Sequence, residues 1–211
     1  MKREAQFHSR SRHHGQYDFK QLCLSTPELK ACLIKNKKGD DTIDFSDEKA
    51  VKLLNTALLK THYSLEFWDI PEGYLCPPIP GRAEYIHQIA DLIKEDVNHK
   101  DKITCLDIGV GANCIYPIIA ASLYKWKCIG SEIDPVSVES ASKIAASNSL
   151  LKDKVEIRHQ LNPDNLFAGV IKKNERIDIV ICNPPFYKSR AEAEAATARK
   201  NKNLHDTKKE A

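Results

Sequence analysis

The sequence predicts an α/β fold: a parallel sheet with crossover helices, preceded by a mainly helical N-terminal extension. Three observations carry that reading. From about residue 100, apolar strand-like runs alternate with runs at helical spacing, the pattern of βαβ units. The glycine turn Asp107-Ile108-Gly109-Val110-Gly111 stands where the first of these strands gives way to its helix. The run IDIVIC over residues 177–182 is almost continuously apolar, as a strand covered on both faces is.

Along the chain, residues 1–16 are polar and basic and are expected to form a flexible arm. Residues 17–100 form the helical extension. Within it, Thr26-Pro27-Glu28 supplies an N-cap, a first-turn proline and an acid for a short helix. Residues 42–45 alternate like a short strand. Ser46 then caps a stronger helix, with Asp47 and Glu48 in its first turn and Val51, Leu54 and Leu58 along its apolar face. The stretch WDIPEGYLCPPIPG over residues 68–81 holds four prolines and two glycines, which predicts an ordered loop. A helix follows over about 82–97, with Tyr85, Ile86, Ile89, Leu92 and Ile93 at helical spacing. Residues 101–187 hold the sheet. Its strands are expected over 103–107, 127–132, 155–158 and 177–182, with helices over 113–124 and 135–147 between the first three. Asp134 and Pro135 are the cap and first position of the later helix. Residues 188–211 are a charged tail without a further strand.

Composition excludes several classes. Of 211 residues, 42% are hydrophobic and 29% charged, so wholesale disorder is excluded. The longest nearly apolar stretch, residues 114–124, falls well short of the roughly 20 residues that cross a bilayer. The N-terminus MKREAQFHSRSRHHGQYDF has no apolar segment of signal type. No membrane association is expected, and a cytoplasmic location is. Seven cysteines, an odd number without a C-x-x-C pair, argue against a disulfide framework and against a thiolate zinc site. Reduced, mostly buried thiols and no metal are expected. The net charge of +3 is unevenly spread: residues 1–20 carry five Lys/Arg against two Asp/Glu, and residues 188–211 seven against four. A mildly acidic body between basic ends suits a polyanionic partner, and equally suits two solvated tails.

The motifs point to chemistry. Gly109 and Gly111 let the backbone approach a ligand, and the helix after them offers free N–H groups to a phosphate or an aminoacyl carboxylate. Glu132 ends the next strand 21 residues after Gly111, the offset at which a carboxylate accepts from ribose hydroxyls. The turn lacks the full G-x-G-x-x-G fingerprint. That favours a compact aminoacyl nucleoside such as S-adenosyl-L-methionine over a nicotinamide or flavin. The last strand delivers Asn183-Pro184-Pro185-Phe186 at its carboxyl end, where open α/β sheets place their sites. The two prolines stiffen this turn and carry no N–H. Asn183 Oδ1 and the Pro184 carbonyl can then hold both N–H bonds of a planar amine such as that of adenine. Phe186 is a plate for the base, and stacking of that kind contributes about 1–3 kcal/mol. A sulfonium methyl is already activated, so positioning for in-line attack carries the acceleration. The alternative for this turn is a rigid connector.

The blocks LDIGVGANCIYP, ICNPPF, RSRHHGQYDF, WDIPEGYLCPPIPGRAEYIH and KNKNL together closely resemble the ribosomal RNA large subunit methyltransferase F family, whose animal relatives form the methyltransferase-like 16 group. The resemblance covers nearly the whole chain. It implies a Rossmann-like, S-adenosylmethionine-dependent methyltransferase fold. It also implies methylation of an adenine N6 amine in 23S rRNA, with free rRNA or a large-subunit assembly intermediate as partner. By resemblance, Gly109, Gly111 and Glu132 bind the cofactor, and Arg82, in PGRAEYIH, suits its carboxylate; Asp107, which opens the same turn, is expected to bind it with them. Asn183, Pro184, Pro185 and Phe186 form the catalytic turn, and Arg10, Arg12 and His13 lie along the RNA. The class orders its strands 3-2-1-4-5-7-6. Only strands one to four are legible here, so the C-terminal strands are expected to be missing and the fourth to be a bare edge. A truncated product, a fragment or a piece completed by a partner is expected. The alternatives to an active rRNA enzyme are a catalytically silent RNA-binding remnant and a methyltransferase acting on DNA adenine or protein glutamine.

Overall fold

A computed structural model of the chain describes residues 7–96 and 103–184. In the extension, α1 (Phe19–Ser25) starts at Asp18, whose carboxylate accepts from the Lys20 and Gln21 amides at 2.9 and 3.1 Å. The Thr26-Pro27-Glu28 signal opens a 3-10 turn (Pro27–Cys32), and Thr26 makes no side-chain cap bond. Strand β1 (Leu33–Lys35) pairs antiparallel with β2 (Asp41–Ile43). Helix α2 (Glu48–Tyr63) is capped by Asp47 and not by Ser46, because the Ser46 hydroxyl donates to Asp44 at 2.6 Å instead. Helix α3 (Ile79–Asp96) begins inside the proline-rich stretch. Pro80 sits in its first turn, where a missing N–H costs nothing, and the Arg82 amide donates to the Pro78 carbonyl. Ile79, Ala83, Ile86 and Ala90 form its buried stripe.

Strands β3 (Thr104–Ile108), β4 (Lys127–Glu132), β5 (Val155–His159) and β6 (Ile179–Cys182) make one parallel sheet in the order β5-β4-β3-β6. Helices α4 (Ile115–Tyr124) and α5 (Pro135–Ala146) connect the first three strands. The order reverses between β3 and β6, so the crevice expected of such sheets opens at their carboxyl ends.

The two faces of the sheet differ. Cys105, Cys128, Val155 and Ile181 join the main core, which runs on through α4 and α5 into α1, α2 and α3 without a break. Helix α4 is apolar all round because it is enclosed by the sheet, α2 and α3. On the other face Leu106 and Ile129 are covered by Val170, with Ile171 and Ile177 beside it. These last three belong to the β5–β6 connection, which among the described residues contains no helix. Arg158 fastens that connection, its Nη1 donating to the Val170 carbonyl and the Glu175 carboxylate, both at 2.6 Å. All seven cysteines are free; Cys105, Cys114 and Cys128 are buried and Cys182 is exposed.

Over residues 7–16, where a flexible arm is expected, the side chains make specific contacts with the helices. Arg10 reaches Asp91 at 2.6 Å, the Tyr124 hydroxyl at 2.9 Å and the His87 carbonyl at 3.1 Å. His8 Nε2 meets Asp91 at 2.7 Å and its ring stacks on His87. His13 is buried between the hydroxyls of Tyr17 and Tyr63, at 3.0 and 2.7 Å. These contacts bind the segment to α2, α3 and α4. Residues 188–211 lie outside the described residues.

Candidate active site at the carboxyl ends of the strands

The glycine turn leaves β3 with both glycines at positive φ, 73° at Gly109 and 64° at Gly111, a region that disfavours side chains. The Gly109 and Val110 amides donate to the Ser131 carbonyl at 2.9 and 3.0 Å, which ties the turn to β4. The Gly111 amide donates to Glu132 Oε2 at 2.9 Å. Glu132 Oε1 accepts from the Ile133 and Asp134 amides at 2.8 and 3.1 Å. These three bonds orient the Glu132 carboxylate and leave a lone pair for an incoming hydroxyl donor.

Asp107 lies beneath this turn, buried, and neither carboxylate oxygen has a hydrogen-bond partner among the described residues. Burial first, and then the nearby Glu132 charge, push its carboxyl well above the usual range, while Arg82 pulls it back in part. A buried, unpartnered acid is costly unless a ligand supplies donors. An ammonium group answers that need.

Arg82 stands in the first turns of α3. Its Nη1 donates to the Tyr116 hydroxyl at 2.8 Å and to Asn183 Oδ1 at 3.3 Å. One side chain thus connects α3, α4 and the end of β6. Asn183 is half-buried and Pro184 exposed. Pro185 and Phe186, the other two expected members of the turn, lie outside the described residues. The structure therefore brings Arg82, Asp107, Gly109, Gly111, Glu132 and Asn183 to one end of the sheet. Arg10, Arg12 and His13 are not part of that group. Arg10 is engaged by Asp91 near the other end of α3, roughly 13 Å along the helix from Arg82. His13 is enclosed, and Arg12 is the one of the three with an exposed side chain, its guanidinium 5.9 Å from the Tyr63 ring centroid.

Several residues of the crevice carry no short-range sequence signal. Trp68 Nε1 donates to the Asn113 carbonyl at 2.9 Å, and the Tyr74 hydroxyl to Asp134 at 2.9 Å. Asn55 Nδ2 donates to the Pro77 carbonyl at 2.8 Å. The proline-rich loop is thereby strapped against the glycine turn and the start of α5. Aromatic residues within a proline-rich loop are the signal that was open to a sequence reading, since such a loop must bury them. Tyr116 is the other residue missed. A cleft of about 620 Å³ lies at the opposite, amino end of the strands, lined by Thr104, Lys127, Lys154 and Arg176. None of the expected site residues among the described residues lines it. Among the described residues no group of three or more His, Cys, Asp or Glu is placed to hold a metal ion, and no helix is long and apolar enough to cross a membrane.

A family model described as RNA methyltransferase matches residues 1–211. Ribosomal RNA large subunit methyltransferase F of Vibrio campbellii is 52% identical over 200 residues, which cover 93% of this chain and 52% of that protein. Its counterpart in Bacteroides fragilis is 48% identical over 219 residues, covering 99% of this chain and 72% of that protein. The crystal structure of the N-terminal domain of human METTL16 in complex with SAH is 30% identical with a TM-score of 0.76, over 94% of this chain and 78% of that one. The chain spans about half the length of the Vibrio relatives it matches. With the glycine turn, the four-stranded parallel order and the helical extension all in place, the chain belongs to the RNA methyltransferase family of ribosomal RNA large subunit methyltransferase F.

Proposed function

We propose that this chain carries the cofactor-binding and catalytic residues of an S-adenosylmethionine-dependent methyltransferase that modifies the N6 amine of an adenine in 23S rRNA, in the cytoplasm. One observation carries the reading. A buried carboxylate without a hydrogen-bond partner among the described residues, a guanidinium, an oriented acid and the Asn183 amide converge where the strand order reverses. The residues fit the cofactor group by group. Asp107 takes the α-ammonium, Arg82 the α-carboxylate, and the free lone pair of Glu132 a ribose hydroxyl, while Gly109 and Gly111 keep the turn open. SAH, bound by the METTL16 relative, is the demethylated form of that cofactor.

When bound, S-adenosylmethionine supplies a methyl group already activated on sulfonium sulfur. The chain's own work is to present the amine. Asn183 Oδ1 and the Pro184 carbonyl accept its two N–H bonds, which favours the rehybridised, more cationic nitrogen of the transition state. Pro185 stiffens the turn and Phe186 stacks on the base. Ribosomal RNA is favoured over the DNA-adenine and protein-glutamine alternatives by the names of the relatives, which are ribosomal RNA methyltransferases. Arg12 is available for phosphate contact, whereas Arg10 and His13 hold the segment that presents it.

The test is transfer of labelled methyl from S-adenosylmethionine to unmodified 23S rRNA, large-subunit particles, DNA and protein. Label is expected in RNA as N6-methyladenine. Asn183→Ala is expected to lower turnover by about 100-fold or more, the scale of losing a positioned polar group, with cofactor affinity nearly unchanged. Equal losses in both refute the role of Asn183. Cofactor and RNA binding without any transfer favours the silent remnant.

A further inference from the structure

Arg82 Nη1 has two hydrogens and two acceptors, the Tyr116 hydroxyl at 2.8 Å and Asn183 Oδ1 at 3.3 Å. The bond to tyrosine is the shorter of the two. Tyr116 is well placed to anchor. It is 6% exposed, in the first turn of α4, and its ring packs at 5.4 Å from that of Tyr85. The Arg82 guanidinium carbon lies 5.5 Å from the Tyr116 ring centroid, so face and hydroxyl both hold it.

Pro184 biases the Asn183 backbone to an extended form, yet it does not set the side-chain amide. The terminal torsion of asparagine is broad and roughly two-fold, so a free amide presents oxygen or nitrogen with little preference. With nitrogen forward, donor would meet donor and the amine would be repelled. A guanidinium removes the ambiguity because it only donates. The atom of Asn183 that faces Arg82 must be the oxygen, and the second lone pair of that oxygen stays available. We propose that Tyr116 is a positioning residue for methyl transfer: through Arg82 it fixes the Asn183 amide with Oδ1 presented to the incoming amine. The proposal rests on the reading of Asn183 as the amine's acceptor.

Tyr116→Phe removes the anchoring hydroxyl and keeps the packed ring. Two readouts test it in the full chain. In ¹⁵N spectra, the side-chain amide pair of Asn183, identified by its loss in Asn183→Ala, is expected to shift in Tyr116→Phe. Turnover at saturating cofactor and RNA is expected to fall about tenfold, the scale of one hydrogen bond, with the RNA dissociation constant held within about threefold. On the Asn183→Ala background, Tyr116→Phe should have no further effect, because the two act in series. An unmoved amide pair overturns the proposal. So does a loss confined to cofactor affinity, or an undiminished effect on the Asn183→Ala background. Should the wild-type chain transfer no methyl group to any RNA, the function proposed above fails, while the amide spectrum still decides the orientation.

Discussion

At the scale of single residues, Gly130 shows how the site depends on a residue outside it. It lies in β4, and a Cβ there would come within 2.8 Å of Val110 Cγ2, 2.9 Å of Val110 Cβ and 2.9 Å of Ile157 Cδ1. Val110 is the residue between the two turn glycines, so its β-carbon cannot retreat without carrying the turn along. Gly130→Ala is therefore expected to destabilise the fold by about 1–3 kcal/mol, the usual cost of overpacking, and to weaken S-adenosylmethionine binding as well. Denaturant titration and calorimetric cofactor titration on the same variant check both effects. Normal stability would show that the turn yields freely. The packing need of Gly130 is invisible in sequence, where a glycine in a strand reads only as a weak point.

At the scale of elements, the N-terminal segment has the most to say. Its side chains are held by groups distant in sequence, Tyr63, Asp91 and Tyr124 among them. Burial first, and then the charges of His62, His87, Arg12 and His14, lower the His13 pKa to about 4. Burial also lowers His62 and His87. A histidine held below its ordinary value binds fewer protons folded than unfolded. Its contribution is thus complete above about pH 6.5 and is lost as pH falls toward 4, at most about 3 kcal/mol for His13. Urea midpoints should fall between pH 7 and pH 4.5, and His13→Leu should flatten that dependence. A wild-type midpoint independent of pH would show that His13 is not enclosed in solution. The same long-range partners explain why the segment reads as a tail: it has no periodicity, and its order is supplied from elsewhere. The four strands, by contrast, were legible to within two residues because alternation, apolar runs and turn residues are local signals. Helix α3 starts three residues before the expected position for a local reason too: Pro80 belongs to the composition that predicts a loop, yet it serves as a first-turn residue.

At the scale of the whole molecule, the site's sequence-legible half and its illegible half belong to different parts of the chain. Asp107, Gly109, Gly111, Glu132 and Asn183 follow from strand ends, whereas Arg82 follows from family resemblance and Trp68, Tyr74 and Tyr116 only from tertiary contact. One core joins those parts, so the extension and the sheet are expected to unfold together. The two tryptophans make this measurable. Trp68 is buried in the extension and Trp126 is buried just before β4. Single-tryptophan variants, Trp126→Phe and Trp68→Phe, report the two halves separately. Their melting curves should each show one transition. S-adenosylmethionine at about 100 times its dissociation constant should stabilise the native state by roughly 2.7 kcal/mol and raise both midpoints by roughly 5–10 °C. Because Trp68 donates to Asn113 beside the glycine turn, affinity is measured first for each variant and the cofactor concentration scaled to it. A rise confined to Trp126, with Trp68 melting at its cofactor-free temperature, would mean that the extension is a separate cooperative unit and that Arg82 reaches the cofactor without sharing its stability.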